Sequence, residues 1–382
     1  MLAITPAMND LADTGEPGLL SIDLAAIQAN WLLLNGRNGA TETGAVVKAN
    51  AYGLGLEPVA EALWTAGARR FYVAQSGEGQ RLRRVLPDAT IIILAPVLPQ
   101  GFARCRGSAL IPSLNGPDAL QFWRDDVKAN GSALPAMLHI DTGLTRLGFD
   151  DAAFPALFAA LSNTEHAAIA EVSTHLACAD EPSHPLNMEQ LERFHAATAN
   201  VPAAIVRSFA NSSGMFLGEA FNRFGARPGM ALYGLNPTPA QPNPMRPAVN
   251  LRVRILQTRV LSRNECVGYG ATVSAKAGAR IAVIAAGYAD GLHRCIGGDG
   301  RIWINGEAAP ILGRISMDLI AVDVSHMLES QVVPGGWAEV IGPHQSADDL
   351  AAAAGTIGYE ILTSLGARYE RRYLPAMPEI SA

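Results

Sequence analysis

Nowhere does this sequence approach the roughly 20 consecutive apolar residues that a membrane-spanning helix needs, so no bilayer span is expected. Cysteine is sparse, and Cys105, Cys178, Cys266 and Cys295 form no C-x-x-C pair. That spacing offers neither a zinc ribbon nor a disulfide framework and suits reduced thiols in the cytoplasm. An excess of positive charge is missing too: the formal net charge is −6, and the densest basic clusters, Arg81-Leu82-Arg83-Arg84 and Arg371-Arg372, are short. Nucleic acid is therefore not an expected partner. No G-x-G-x-x-G lies between a strand and a helix, which counts against an open doubly wound dinucleotide-binding sheet. The first 18 residues hold Asp10, Asp13 and Glu16 but no lysine or arginine, and lack the apolar stretch of a signal peptide. They read as a poorly ordered leader.

What is present is an ordinary globular balance, with 49% hydrophobic and 17% charged residues over 382 positions. That is long enough for two domains. Across residues 19–235, short apolar runs alternate with amphipathic or alanine-rich segments. The runs that read as strands include 45–48, 71–74, 91–94, 137–140, 170–174 and 205–208, with helices expected at 56–66 and 187–199. So many repeats in this length predict a (β/α)₈ barrel. Residues 236–245, rich in proline, form an extended connector. Beyond them, in 246–382, β-like runs at 251–260, 280–286, 302–304 and 319–324, a turn at Asn305-Gly306 and a helix at 347–354 predict a mostly β domain.

The most informative stretch is Val46-Val47-Lys48-Ala49-Asn50-Ala51-Tyr52-Gly53-Leu54-Gly55. Gly44 to Val47 reads as a short buried strand, and Leu56 onward as a helix with Pro58 in its first turn. Lys48 is thus expected at a strand's C-terminal end, where α/β proteins bind ligands. A lysine there is costly to bury unless a lowered pKa or a Schiff base with a carbonyl cofactor removes its charge; a solvated loop lysine is the plainer alternative. Tyr52 can donate to a phosphate oxygen, and Gly53 and Gly55 let the backbone approach an anion.

Polar residues recur after the later strands. Asp141-Thr142-Gly143-Leu144-Thr145-Arg146 is a loop presenting one arginine. His175 follows the run at 170–174; its spacing to Cys178 could suit a metal, but no second pair supports one, so none is expected. Ala210-Asn211-Ser212-Ser213-Gly214 either cradles an anion or caps a helix. Arg227-Pro228-Gly229-Met230 closes the alternating region. In the second domain Tyr269, Tyr288 and Met317 lie in glycine-flanked strings, and Tyr359 follows Gly358. Singly, each of these is a turn with a side chain packed on it.

Together and in this order, these strings resemble the alanine racemases, from Leu19 to about Leu374. The resemblance implies the fold type just described, a pyridoxal 5'-phosphate (PLP) cofactor, racemisation of alanine by two bases, D-alanine supply for peptidoglycan, and a head-to-tail homodimer. By resemblance Lys48 carries PLP and acts on one face of the substrate α-carbon, with Tyr269 on the other. Tyr52, Asn211, Ser212, Gly229, Met230 and Tyr359 match positions around the phosphate. His175 would lie against the pyridine ring and Arg227 would meet its nitrogen, while Arg146, Met317 and Tyr288 would serve the substrate. A guanidinium cannot accept a proton, so it leaves the pyridine nitrogen unprotonated and the ring a weaker electron sink. That favours returning the proton to the α-carbon over transamination. A broader racemase acting on serine, for example, is one alternative; a decarboxylase on the same scaffold is disfavoured by Arg227. A non-catalytic PLP carrier is the other alternative, but such proteins lack a second domain.

There is one departure. Many relatives carry, two residues before Asp-Thr-Gly, a lysine modified to a carbamate that holds the loop arginine, and here the position is His139. The expectation is that no carbamate forms, and that Asp141 or a bound halide holds Arg146 instead.

Overall fold

A computed structural model describes residues 15–39 and 41–377. Most of the expected leader lies outside the described residues. Contacts divide the chain into two units: the stretch up to Ile22 with Val249–Arg372, and Asp23–Ala248 with the stretch from Tyr373.

The larger unit is built on parallel strands at Ala45–Val46, Arg70–Val73, Thr90–Ile93, Ile111–Leu114, Ala136–Asp141, Ile169–Ser173, Val206–Ala210 and Gly225–Ala226, each hydrogen-bonded to the next. The ladder closes on itself. Ala226 N donates to Glu42 O, Gly44 N to Ala226 O and Val46 N to Pro228 O, each at 2.9 Å. This is the expected barrel. Its strands are apolar on both faces because one face lines the interior and the other lies under helices. Val46, Tyr72, Ile92 and Met137 meet in one cluster, as inward positions from successive strands should.

The helices expected at 56–66 and 187–199 are found at Leu56–Thr65 and Leu186–Ala197. Ile111–Leu114 was not among the expected strands; it carries Pro112, a residue unusual in a central strand, yet it pairs on both sides. The last two strands are followed by 3-10 turns, Gly214–Phe216 and Phe221–Arg223 after the first and Met230–Tyr233 after the second.

The smaller unit centres on the 12-residue strand Val249–Val260, which pairs antiparallel with Arg280–Ile284 and Trp337–Ile341. It also pairs with Gly18–Asp23, from Gly18 opposite Val253 to Ile22 opposite Val249. The boundary expected at residue 19 therefore differs from the observed division: the first strand goes with the β unit. Asp23 then caps the helix Leu24–Asn38, its Oδ1 accepting from Ala26 N at 2.8 Å. The hairpin at Asn305-Gly306 joins Arg301–Ile304 to Glu307–Pro310, both turn residues having positive φ, as an Asn-Gly hairpin turn requires. The helix Ala347–Ala354 begins at a Ser346 cap. Among the described residues no helix is long and apolar enough to cross a membrane.

Candidate active site

Lys48 stands at the C-terminal end of the first barrel strand and opens an unusual turn. Ala49, Asn50, Ala51 and Tyr52 all have φ between 53° and 56°. Left-handed backbone costs a residue with a side chain about 1–2 kcal/mol, so the surroundings must enforce it. They do so with hydrogen bonds. Ala51 N donates to Val47 O and Gly53 N to Ala49 O, while Asn50 Oδ1 accepts from Leu56 N at 3.1 Å and from Arg81 at 3.2 Å. Glu78 accepts from Asn50 N at 3.3 Å. The pKa of the Lys48 ammonium is lowered, first by burial and then by Arg146, with Glu78 opposing.

The turn brings Tyr52 against Tyr233, their ring centroids 4.7 Å apart. Gly229 lies beneath: a Cβ there would sit 2.4 Å from Tyr52 Oη and 3.1 Å from Cζ. Ser212 Oγ accepts from Gly229 N at 3.0 Å and from Ala231 N at 3.3 Å, and Asn211 Oδ1 accepts from Gly214 N at 2.8 Å. Two backbone N–H groups thus converge on the Ser212 oxygen, and Met230 lies between them in the sequence. Gly229→Ala should therefore cost about 1–3 kcal/mol by overpacking, read as a lower midpoint in urea unfolding. Gly36→Ala, on a helix surface where nothing lies within 4 Å, should be neutral or slightly stabilising in the same assay.

Three barrel strands bring basic groups together. Arg227 is buried, donating to Ser208 Oγ and to Thr174 O. His139 Nδ1 lies 3.2 Å from Ser173 Oγ. Burial first, then Arg227 and Arg146, bring the His139 pKa down to about 4, against a smaller opposing effect of Asp141. At neutral pH that imidazole is uncharged. His175 is held well below the ordinary histidine range by burial, with Arg227, Arg146, His139 and Lys48 adding to it. Arg146 itself is exposed. Asp141 shapes its loop, Oδ1 accepting from the N–H groups of Gly143, Leu144 and Thr145 at 2.9 to 3.1 Å.

In the β unit, Tyr269 caps the hairpin between Glu265–Val267 and Val273–Ala275, flanked by Gly268 and Gly270 with positive φ, and is 71% exposed. Tyr288 and Met317 lie on loops that are stitched together. Tyr288 N donates to Ser316 O at 3.1 Å and Ala289 N to Met317 O at 3.0 Å. Arg368 bridges the two loops through Asp290 at 3.1 Å and Asp318 at 2.7 Å. Tyr359 is half-buried on the helix Gly358–Ser364. Thus nine of the expected site residues belong to the barrel unit and four to the β unit.

Several polar residues escaped sequence reasoning. Ser208 and Thr174 meet Arg227, and Glu78 meets Asn50 beside Lys48, only through folding. Glu171, wholly buried, accepts from Tyr72 Oη at 3.0 and 2.9 Å and from Arg70 at 3.2 Å. Its one local sign was a polar residue two before Ser173, on the same strand face.

Comparison with known proteins follows the same two-part division. The family model described as alanine racemase, N-terminal domain, matches residues 22–237, and that described as alanine racemase, C-terminal domain, matches 248–373. A curated alanine racemase of Rhodospirillum rubrum is 47% identical over 93% of this chain and 95% of its own length. A catabolic alanine racemase of Agrobacterium fabrum is 43% identical over 96% of this chain and 95% of its own. Among solved structures, the alanine racemase of Bartonella henselae with covalently bound pyridoxal phosphate has a TM-score of 0.89 and 38% identity, covering 94% of this chain and 99% of that one.

Proposed function

This chain belongs to the alanine racemase family, and from that premise we propose how its residues interconvert L- and D-alanine. The cofactor is pyridoxal phosphate, which when bound withdraws electrons from the substrate α-carbon and so acidifies its hydrogen. The residues present fit it: Gly229 leaves the close approach beside Tyr52 that a Cβ would fill, and Ser212 gathers two backbone N–H groups.

In this reading Lys48 is the covalent attachment point. Its lowered pKa leaves more of the amine neutral, as a nucleophile and a base must be. The Lys48 amine would take or return the α-proton on one face of the substrate, and Tyr269 would do so on the other. Tyr52, Asn211, Ser212, Gly229, Met230 and Tyr359 serve the phosphate, His175 packs on the ring, and Arg146, Tyr288 and Met317 orient the substrate. The observation that carries racemisation over other chemistry is Arg227. It is a permanently charged donor locked between Ser208 and Thr174 O, where a carboxylate would protonate the ring nitrogen. His139, uncharged at neutral pH, leaves the Arg146 charge unbalanced, and a halide between them replaces the carbamate of other members.

The test is incubation with L-alanine in D₂O and chiral analysis of the product. D-Alanine deuterated at the α-carbon supports the reading; no D-alanine from loaded enzyme overturns it. Arg227→Glu should raise pyruvate relative to D-alanine by about tenfold or more as the ring becomes a stronger electron sink. An unchanged product ratio would discard the electron-sink argument. D-Alanine made in this way supplies peptidoglycan synthesis in the cytoplasm. The enzyme works as a head-to-tail homodimer, a reading supported by Tyr269 and Met317 standing 71% and 52% exposed.

A further inference from the structure

Beneath Arg227 lies an acidic group that the reaction as described does not use. Glu171 is two residues before Ser173 on the same strand, so both side chains point into the barrel with Glu171 one layer lower. Ser173 contacts His139, and Tyr72, the partner of Glu171, clusters with the inward-facing Val46, Ile92 and Met137. Both Glu171 oxygens face Tyr72 Oη, and Oε2 also takes Arg70 at 3.2 Å. Arg70 in turn holds Glu42 at 2.9 Å, nearer the surface. The Tyr72 ring that holds the carboxylate is also the ring facing Arg227, whose guanidinium carbon is 5.9 Å from its centroid.

We propose that Glu171 is a positioning residue for the reaction: its buried carboxylate, gripped by Tyr72 and Arg70, steadies the Arg227 guanidinium and balances part of its charge. The inference rests on the reading that Arg227 faces the cofactor's ring nitrogen. A guanidinium can only donate and Tyr72 has one proton to give, so the partners of Glu171 satisfy an anion. Burial pushes its pKa up, while Arg70, Arg227 and the Tyr72 hydrogen bond pull down and Glu42 adds to the rise. Arg146 and Arg227 add positive charge above this layer. Without Glu171 the field at the cofactor is more positive, and every protonated group on the cofactor is harder to keep.

The experiment is a pH titration of the visible absorbance of the bound cofactor in the PLP-loaded enzyme. Glu171→Gln, nearly the same shape without the charge, should lower the midpoint by about one pH unit, a tenfold loss of proton affinity. Glu171→Asp should return it to within about 0.3 unit of wild type. A loss of packing alone would lower the melting temperature and leave the midpoint in place. If Glu171→Gln does not fold, Tyr72→Phe takes its place: losing a donor favours the neutral acid, and the midpoint should fall by less. An unmoved midpoint in the folded variant overturns the inference. Arg227→Gln separates the two levels, because loss of its charge should raise the midpoint. If Arg227→Gln moves it and Glu171→Gln does not, the role of Glu171 alone is wrong; if Arg227→Gln leaves it unmoved, Arg227 does not face the ring.

Discussion

Replacing Lys48 with alanine should abolish racemisation, by a factor of about 10⁴ or more, and remove the visible absorbance of the lysine-bound cofactor. The chain makes this test unusually clean, because its only other lysines are Lys128 and Lys276. Both are exposed, Lys128 in the last turn of the helix Pro117–Asn130 and Lys276 just after the strand Val273–Ala275. Neither shares the environment of Lys48, where burial and Arg146 lower the pKa. Lys48→Arg should be equally inactive while keeping the positive charge, since a guanidinium neither forms the covalent link nor accepts a proton at working pH. An intact visible band in Lys48→Ala would transfer the attachment to another lysine.

The second large effect is a recovery of activity from two dead proteins. Tyr269→Ala should stop α-proton exchange from one alanine enantiomer while sparing part of the exchange from the other; Lys48→Ala should stop both. If head-to-tail pairing places Tyr269 of one copy opposite Lys48 of another, mixing the two variants unfolded and refolding them restores activity. Random pairing makes about half the dimers mixed, each with one intact and one doubly altered site, so about a quarter of wild-type activity should return. Mixed dimers confirmed by mass without any activity would place both residues in one copy's site.

The strings around Lys48, Arg146, Asn211, Arg227, Tyr269, Tyr288 and Met317 carried the family resemblance because each sets particular residue types in immediate succession. The alternating apolar runs likewise predicted the barrel, since burial on both strand faces leaves its mark residue by residue. The Asn305-Gly306 turn and the helix Ala347–Ala354 carry their own local chemistry, a positive-φ pair and a serine cap.

What the tertiary structure alone decided are pairings between residues far apart in the chain. Gly18–Asp23 looks like any leading strand, but its open edge finds its partner in Val249–Val260, so it joins the β unit. Ile111–Leu114 is a barrel strand despite Pro112 because neighbours on both sides supply the remaining ladder. The left-handed backbone after Lys48 is written in no glycine; it persists because Asn50, Arg81 and Glu78 hold it from outside. Glu171 read locally as one polar residue in a strand. Only barrel closure places Tyr72, Arg70 and Arg227 around it, because a buried charge is tolerated where distant strands deliver its partners.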